Sequence, residues 1–260
     1  MKFRVANNDF INYSFSPEYT YYNMNLVIDI GNTAIKFGLF ENNALSKSFR
    51  VDSFRTPELK KAIKKAKRII VSSVKDTDEG LHEMIPKGSD CLFFTTALKL
   101  PVTINYRTPK TLGADRLIGA CAAVNLYPGK NILVIDAGTC ITYDVVDKNK
   151  VYQGGSISPG LEMRYKSLRE FTARLPHVPH RVFPEITGKS TEESILSGVQ
   201  NGIIAEVEGM IERFAEEYPF PVVILTGGDA NFFGGKLKSP IFAEPNLTLT
   251  GLNDILKINE

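Results

Sequence analysis

Three short apolar runs along the chain each end in a turn signal. They read NLVIDIGNT at 25–33, NILVIDAGT at 131–139 and PVVILTGGD at 221–229. Short apolar runs that stop at glycine are typical of buried strands that lead into tight turns. The pattern therefore predicts three buried strands, each followed by a glycine turn.

The segments between these runs show helical patterns. TPELKKAIKKAKR at 56–68 begins with a Thr cap and an early Pro, whereas GADRLIGACAAVNLY at 113–127 is rich in Ala and Leu. PGLEMRYKSLREFTARL at 159–175 starts at a Pro, and 190–218 opens with a Ser-x-x-Glu capping box. Strands that alternate with helices predict an α/β fold.

The first two apolar runs, with the residues that follow them, share one plan. Each is a hydrophobic strand, an Asp, a Gly and a hydroxyl residue, then a second strand and a polar turn. We interpret them as an internal duplication of a β-hairpin that carries Asp-x-Gly at its turn. The duplication predicts two halves of similar size, at 24–125 and 126–260. Residues 1–23 precede them as a leader without the continuous apolar core of a signal peptide.

The composition is that of an ordinary globular protein, with 43% hydrophobic and 23% charged residues. A formal net charge of +2 gives no reason to expect nucleic acid or an anionic membrane as a partner. The basic stretch KKAIKKAKR at 60–68 is expected to be a solvated helix face. No apolar run approaches the roughly 18–20 residues that cross a bilayer. We therefore expect neither a nucleic-acid partner nor a membrane partner.

Cysteine and histidine usage favours a reducing compartment. Cys91, Cys121 and Cys140 are far apart and form neither a disulfide framework nor a CxxC pair. His177 and His180 form an HxxH among prolines, which we interpret as a surface loop because no Cys or carboxylate cluster completes a ligand set. The protein is therefore expected to be cytoplasmic.

The first hairpin turn reads DIGNTAIK and has the composition of an anion-binding loop. Gly31 would let backbone N–H groups approach an anion. Asn32 and Thr33 add neutral donors, and Lys36 adds a positive charge. Asp29 would hold Mg²⁺ through water, since Mg²⁺ keeps several waters and prefers carboxylates. Taken alone, one such turn is more simply a polar hairpin tip.

The second and third apolar runs favour a nucleotide site over a simple polar hairpin tip. DAGT at 136–139 repeats the Asp-x-Gly device, so that two facing hairpins could clamp a triphosphate. LTGGD at 225–229 supplies a glycine turn against which a base and ribose could lie. Two phosphate hairpins followed by a Gly-Gly turn are the plan of the actin-like ATPases. The sequence contains neither GxxxxGK[ST] nor GxGxxG after a strand, which argues against a P-loop or a dinucleotide-binding fold.

The motif GADR at 113–116 places an Asp-Arg pair at the start of an apolar helix. Such an Asp can simply be a solvated residue that the helix dipole favours. The strongly apolar LIGACAAV that follows predicts a buried helix, which would direct Asp115 into a cleft. Phosphoryl transfer to an alcohol uses a carboxylate that orients the hydroxyl and accepts its proton. Asp115 is therefore the candidate base, and Arg116 could hold a polar substrate group or a phosphate oxygen.

At these motifs the sequence resembles type III pantothenate kinase, the actin-like enzyme that begins coenzyme A synthesis. The resemblance runs from about Met24 to near the C-terminus and includes GGSISPG at 154–160. GADR between two Asp-x-Gly hairpins is its most specific feature. The resemblance implies two actin-like (ribonuclease H-like) halves, each a mixed sheet flanked by helices. It also implies ATP with Mg²⁺, a monovalent cation (K⁺ or NH₄⁺), pantothenate as the acceptor, and a homodimer.

The resemblance also implies roles for individual residues. Asp115 would be the catalytic base, Asp136 a ligand of the monovalent cation, and Thr139 an ATP contact. The other implied ATP contacts are the turn residues Asp29, Ile30, Gly31, Asn32, Thr33, Ala34, Ile35 and Lys36. The implied pantothenate contacts are Tyr106, Gly113, Ala114, Asp115, Arg116 and Thr191. Thr191 could equally be a simple helix cap, and Cys140 departs from the small residue usual after Asp-x-Gly-Thr.

The segment 191–217 has a wide apolar stripe at spacings of three and four residues. One face should cover a sheet, and the flank, with the Ala-rich helix at 113–127, could pack on a second copy. A single-chain core is the simpler interpretation for a lone helix. The family resemblance and the frequency of twofold dimers favour a homodimer with the acceptor pocket at or near the interface.

The residues leave two other classes open. One is another actin-like small-molecule kinase, such as a sugar or acetate kinase, although those chains are generally longer. The other is a non-enzymatic actin-like ATP-binding regulator or filament protein. Asp115 beside Arg116 argues against a pure switch, which needs no acceptor base.

Overall fold

The computed structural model describes residues 24–31, 34–73, 81–219 and 221–260. The leader at 1–23 and two predicted phosphate-loop residues, Asn32 and Thr33, lie outside the described residues. No helix in the described ranges is both long enough and apolar enough to span a bilayer.

The N-terminal part of the described chain forms a five-stranded mixed sheet with the order β3-β2-β1-β4-β5. Its strands are β1 (Met24–Ile30), β2 (Ile35–Glu41), β3 (Ala44–Val51), β4 (Arg68–Ser73) and β5 (Asp90–Phe93). Two helices accompany them, α1 (Pro57–Lys65) and α2 (Leu81–Met84). The turn between β2 and β3 uses Asn42 and Asn43, whose φ angles of 49° and 69° suit asparagine in a tight hairpin.

The C-terminal part forms a six-stranded sheet with the order β11-β10-β7-β8-β9-β6. Its strands are β6 (Thr103–Ile104), β7 (Ile132–Ala137), β8 (Cys140–Val146), β9 (Val151–Pro159), β10 (Val222–Thr226) and β11 (Phe242–Ala243). The helices are α3 (Ala114–Leu126), α4 (Leu161–Glu170), α5 (Thr191–Glu217), α6 (Ala230–Phe233) and α7 (Leu247–Ile258). A 3₁₀ turn at Pro109–Thr111 precedes α3.

The two sheets repeat one topology. In the first, β1 pairs antiparallel with β2 and parallel with β4. In the second, β7 pairs antiparallel with β8 and parallel with β10. The order β3-β2-β1-β4-β5 therefore corresponds to β9-β8-β7-β10-β11, with β6 added at one edge. The predicted α/β fold class with duplicated, mixed sheets is confirmed, whereas the division at residue 125 stays a prediction.

Helices α3 and α7 fill the space between the two sheets. Their apolar side chains form one core cluster with Val27 and Ile70 of the first sheet and Val134 and Ile224 of the second. The last helix of the chain thus returns to the N-terminal sheet. Because α3 and α7 pack on both sheets, they fix the position of the N-terminal end of α3 relative to the two hairpin turns.

The expectation that α3 offers an Ala-rich surface to a second copy is wrong. Every residue from Arg116 to Val124 is buried within the single chain. The small side chains instead allow α7 to pack closely on α3. The approach is so close that a Cβ on Gly251 of α7 would collide with the backbone carbonyl of Ile118 in α3. The Ala-rich composition of α3 therefore serves helix packing inside the chain.

Helix α5 begins with the predicted cap. The Ser190 hydroxyl oxygen accepts a hydrogen bond from the Glu193 backbone N–H at 3.2 Å. The Glu193 carboxylate accepts one from the Lys189 backbone N–H at 2.7 Å, one residue before the usual partner in a capping box. The buried apolar stripe of α5 packs on the second sheet: Ile195, Leu196, Val199, Ile203, Val207 and Ile211. Most of the stripe is therefore single-chain core.

Candidate active site

The ends of β1 and β7 bring together the two duplicated aspartates. Asp29 and Asp136 each lie one residue before the end of their strand. Burial raises the pKa of Asp29 to about 7, with Lys36 opposing and Asp115 and Asp136 adding to the rise. Burial likewise raises the pKa of Asp136 to about 6, with Asp115 adding and Lys36 opposing. The structure therefore brings the two strand-end carboxylates near Lys36 and within electrostatic reach of Asp115.

This excess of negative charge fits a bound cation. Three neighbouring carboxylates with one opposing lysine leave charge that a Mg²⁺ or monovalent ion would offset. The described ranges contain no group of three acidic, His or Cys side chains placed to ligate one metal ion directly. A hydrated Mg²⁺, which needs only one or two carboxylates beside its waters and phosphate oxygens, is compatible with both observations.

The LTGGD turn packs directly against the DAGT turn. The Asp229 backbone N–H donates to the Ala137 carbonyl at 2.8 Å. Gly227 has a φ of +101°, and a Cβ there would collide with the Ala137 carbonyl and the Asp136 carboxylate. Glycine is therefore required where the two turns touch.

The first hairpin turn is closed by the Gly31 backbone N–H, which donates to the Ala34 carbonyl at 3.1 Å. The neighbouring side chains of Ile30 and Ile35 are buried in the N-terminal core. These two predicted ATP contacts can therefore reach a ligand only through their backbone. Lys36 is opposite Asp29 in the β1–β2 register, so both side chains lie on one face of the sheet.

Asp115 lies exposed in the first turn of α3, and its Oδ1 accepts the Arg116 backbone N–H at 2.9 Å. It shares a small cavity with Asp136 between α3, α7 and the second sheet. The cavity is lined by Asp115, Arg116, Gly119, Val134, Asp136, Thr142, Asp144, Thr226 and Thr248. The buried helix thus directs Asp115 to the carboxylate cluster, as the apolar pattern after GADR predicts.

Arg116 forms an ion pair that the sequence did not suggest. Its Nε donates to Asp144 Oδ1 at 2.8 Å, and its Nη2 lies 2.8 Å from the same oxygen without hydrogen-bond geometry. Burial disfavours the Arg116 cation, but Asp144, Tyr152 and Tyr106 outweigh this and raise the pKa of Arg116. Tyr106 and Arg116, both predicted acceptor contacts, are therefore neighbours.

Thr191 and Thr139 have different surroundings. Thr139 is exposed in the β7–β8 turn beside Asp136. Thr191 instead lines a separate cavity of about 490 Å³ between α4 and α5. That cavity is formed by Arg164, Ser167, Leu168, Leu175, Thr191, Ser194, Ile195, Gly198 and Val199. Within one chain, the structure does not bring Thr191 to the Asp115 site.

Two residues near the site were missed by the sequence analysis. Asp144 lies in the mostly apolar strand CITYDVV, two positions after Thr142 and therefore on the same face. A carboxylate in such a strand is only a weak signal for a buried functional residue. Arg50 is opposite Lys36 in the β2–β3 register, and its Nη1 lies 3.8 Å from where a Cβ on Gly228 would be. Arg50 thus reaches from the first sheet to the LTGGD turn, which no local pattern could reveal.

The duplicated sheets, the paired Asp-x-Gly hairpins and the late glycine turn define an actin-like fold of the kind found in ATPases and small-molecule kinases. The same fold appears in the solved activator of the 2-hydroxyisocaproyl-CoA dehydratase from Clostridium difficile, with a TM-score of 0.51 and 13% identity over 90% of this chain and 96% of that chain. The chain belongs to the type III pantothenate kinase family, whose model matches residues 25–213.

Several similar proteins carry the name type III pantothenate kinase, and two of them show the extent of the similarity. The protein of Christiangramia forsetii is 47% identical over 241 residues, which cover 91% of this chain and 99% of the relative. The protein of Cytophaga hutchinsonii is 43% identical over 241 residues, which cover 91% of this chain and 100% of the relative. The similarity therefore extends over nearly the whole of both relatives.

Proposed function

We propose that this protein transfers the γ-phosphoryl group of ATP to the 4′-hydroxyl of pantothenate, the first step of coenzyme A biosynthesis. Its family and its relatives' names support this activity. The observation that carries the proposal is the placement of Asp115 at the mouth of a buried helix, beside Asp136 in one cavity. A carboxylate there would meet an acceptor hydroxyl next to the phosphate hairpins.

In this mechanism Asp115 orients the acceptor hydroxyl and accepts its proton as the phosphoryl group transfers in line. The backbone of the turn at 29–36, the Lys36 ammonium and the Thr139 hydroxyl hold the ATP phosphates. Mg²⁺ when bound neutralises phosphate charge, and a monovalent cation adds to this. Asp29 would hold Mg²⁺ through water and Asp136 the K⁺ or NH₄⁺, which fits the charge excess of the carboxylate cluster.

The acceptor would bind on the side of Asp115 that faces away from the ATP phosphates. There it would lie against Tyr106, Arg116 and the helix start at 113–114. Thr191 is not near these residues in one chain. If Thr191 contacts the acceptor, it must come from a second copy. The implied Thr191 contact and a homodimer with a shared pocket therefore stand or fall together. We further propose that the enzyme acts in the cytoplasm, which the three unpaired cysteines Cys91, Cys121 and Cys140 support.

A coupled ADP-release assay tests the proposed acceptor. ATP is offered alone and with pantothenate, common sugars or acetate, with Mg²⁺ and K⁺ or NH₄⁺ present. ADP release that depends on pantothenate is the expected result. Equal release without any acceptor would indicate an ATPase switch, and release with a sugar or acetate only would indicate another actin-like kinase.

A further inference from the structure

We propose that Asp144 is a positioning residue that fixes Arg116, and through it Tyr106, in the wall that binds the acceptor. The inference rests on the proposed function and deepens it. Asp144 lies on β8 rather than in any of the motifs that suggested the activity. It does not touch the reacting atoms in this scheme, so its effect is exerted through Arg116.

Asp144 and Arg116 form a buried pair of opposite charges. Asp144 is 1% exposed and the Arg116 side chain is 6% exposed, so each would be a costly buried charge without the other. The contact from Arg116 Nε to Asp144 Oδ1 is 2.8 Å long. Asp144 therefore provides the counter-charge that keeps the guanidinium inside the cavity instead of in solvent.

The Asp144 carboxylate is rigid, because hydrogen bonds from two strands hold it. The Tyr152 hydroxyl donates to Asp144 Oδ1 at 2.7 Å, and the Thr142 hydroxyl donates to Oδ2 at 2.9 Å. Thr142 and Asp144 are two positions apart on β8 and share one face of the sheet. With both oxygens occupied, Asp144 has one orientation, and this orientation is passed on to Arg116.

The Asp144 network also extends to Tyr106. Its ring centroid lies 6.1 Å from that of Tyr152, and the Tyr106 hydroxyl stabilises the Arg116 cation. Gly154, with a φ of +90°, lets the Tyr106 ring approach, since a Cβ there would lie 3.3 Å from it. Asp144 and Tyr152 thus support two of the side chains that are expected to contact the acceptor, Arg116 and Tyr106.

Arg116 keeps donors available for a ligand in this arrangement. A guanidinium has five N–H donors, and Asp144 engages the Nε edge. Nη2 is buried 2.8 Å from the same Asp144 oxygen, so it is not among the donors left for a ligand. The ion pair therefore fixes one edge of the guanidinium in the cavity that Arg116 shares with Asp115, and its remaining N–H groups can donate to an oxygen of the acceptor.

The test is a steady-state comparison of Asp144→Asn with the parent enzyme. Arg116 should lose its fixed position, so the KM for pantothenate should rise by roughly ten- to a hundredfold, the range for a charged hydrogen bond. The kcat should stay within about threefold and the KM for ATP within about twofold, since ground-state acceptor binding is affected. Calorimetric titration of pantothenate should show the same loss of affinity.

Two further variants separate positioning from stability. Thr142→Val removes one donor to Asp144 at nearly constant volume, and should raise the KM for pantothenate by about three- to tenfold. Thr142→Ser keeps the hydroxyl and should rescue the KM toward the parent value, so the pair remains informative if Asp144→Asn does not fold. Asp90→Asn is the matched control, because it breaks the Arg68–Asp90 ion pair of 2.6 Å, which lies outside the cavity. It should lower thermal stability without changing the KM.

The outcomes distinguish this inference from the function on which it rests. A parent enzyme that does not phosphorylate pantothenate would overturn both. A parent that does, with Asp144→Asn and Thr142→Val leaving the KM for pantothenate unchanged or lower, would overturn the positioning role alone. A fall in kcat with an unchanged KM would also contradict it.

Discussion

At the scale of single residues, the site is defined by clustered negative charge. Asp29 and Asp136 interact electrostatically with each other and with the exposed Asp115, and Lys36 opposes the two strand-end aspartates. Placing like charges close together is unfavourable for the folded protein, so such a cluster is typical of functional sites. Sequence alone indicated all three aspartates, because Asp29 and Asp136 end apolar runs before a turn and Asp115 stands at the start of an apolar helix.

Asp115→Asn tests the proposed base. The change keeps size and one acceptor oxygen but removes the proton-accepting carboxylate, so turnover should fall by roughly 10²–10⁴ with ATP affinity nearly intact. Steady-state kinetics and nucleotide titration measure the two effects. Asp52→Asn, at an exposed position, is the matched control and should behave like the parent. Parent-like turnover in Asp115→Asn would remove this residue from the mechanism.

Asp29 should make the nucleotide-free protein less stable at high pH. Burial raises the pKa of this carboxyl to about 7, whereas an Asp in an unfolded chain titrates near about 4. The stability linked to its proton is therefore complete below about pH 4 and is lost as the pH rises to about 7. Asp29→Asn, which mimics the protonated form, should raise the thermal midpoint by at least about 2 °C at pH 8.

The same Asp29→Asn variant should show a markedly smaller gain in thermal midpoint at pH 4.5 than at pH 8. Thermal unfolding of both proteins without nucleotide or Mg²⁺ at the two pH values provides the comparison. A gain of equal size at both pH values would show that the effect is packing and not titration.

At the scale of elements, the glycine turns explain how separate motifs become one site. The Asp229 N–H to Ala137 carbonyl bond joins the turn after β10 to the turn after β7. Sequence predicted these strands and turns because apolar runs ending in glycine are local signals. It could not predict that α7 returns to the first sheet or that Arg50 faces Gly228, because both depend on contacts between distant segments.

Gly227→Ala should damage this junction more than a similarly strained glycine substitution elsewhere. Gly227 and Gly88 both have positive φ, 101° and 88°, but a Cβ at Gly88 meets nothing within 4 Å. Gly88→Ala therefore isolates backbone strain, and Gly227→Ala adds a collision with Ala137. The free energy of unfolding should drop by at least about 2 kcal/mol more for Gly227→Ala. Denaturant titration of both variants measures this difference. Equal losses of unfolding free energy would contradict the close contact between the two turns.

At the scale of the whole molecule, two cavities remain separate in one chain. Asp115 lines one and Thr191 the other. The apolar pattern correctly indicated a buried α3 but gave no means to tell a single-chain core from a dimer interface, since both bury the same side chains. The structure assigns α3 to the core, so a shared acceptor pocket would use other surfaces.

Subunit mixing tests whether Thr191 completes the site of a second copy. Asp115→Asn and Thr191→Ala subunits, each poorly active alone, are unfolded, mixed and refolded together. In a twofold dimer with a shared site, mixed dimers carry one intact site, so activity should recover to about a quarter of the parent value. No recovery, or a fully active monomer of 28.9 kDa in sedimentation at low micromolar concentration, would contradict the shared pocket.

The most direct test of the central proposal is to identify the product. The parent protein is incubated with ATP, Mg²⁺, K⁺ and pantothenate, and the mixture is analysed by mass spectrometry and phosphorus NMR. We expect 4′-phosphopantothenate and ADP in equal amounts, and at least roughly a hundredfold less of both in the same time with Asp115→Asn. ADP without a phosphorylated pantothenate, or a product phosphorylated elsewhere than the 4′-hydroxyl, would contradict the proposed function.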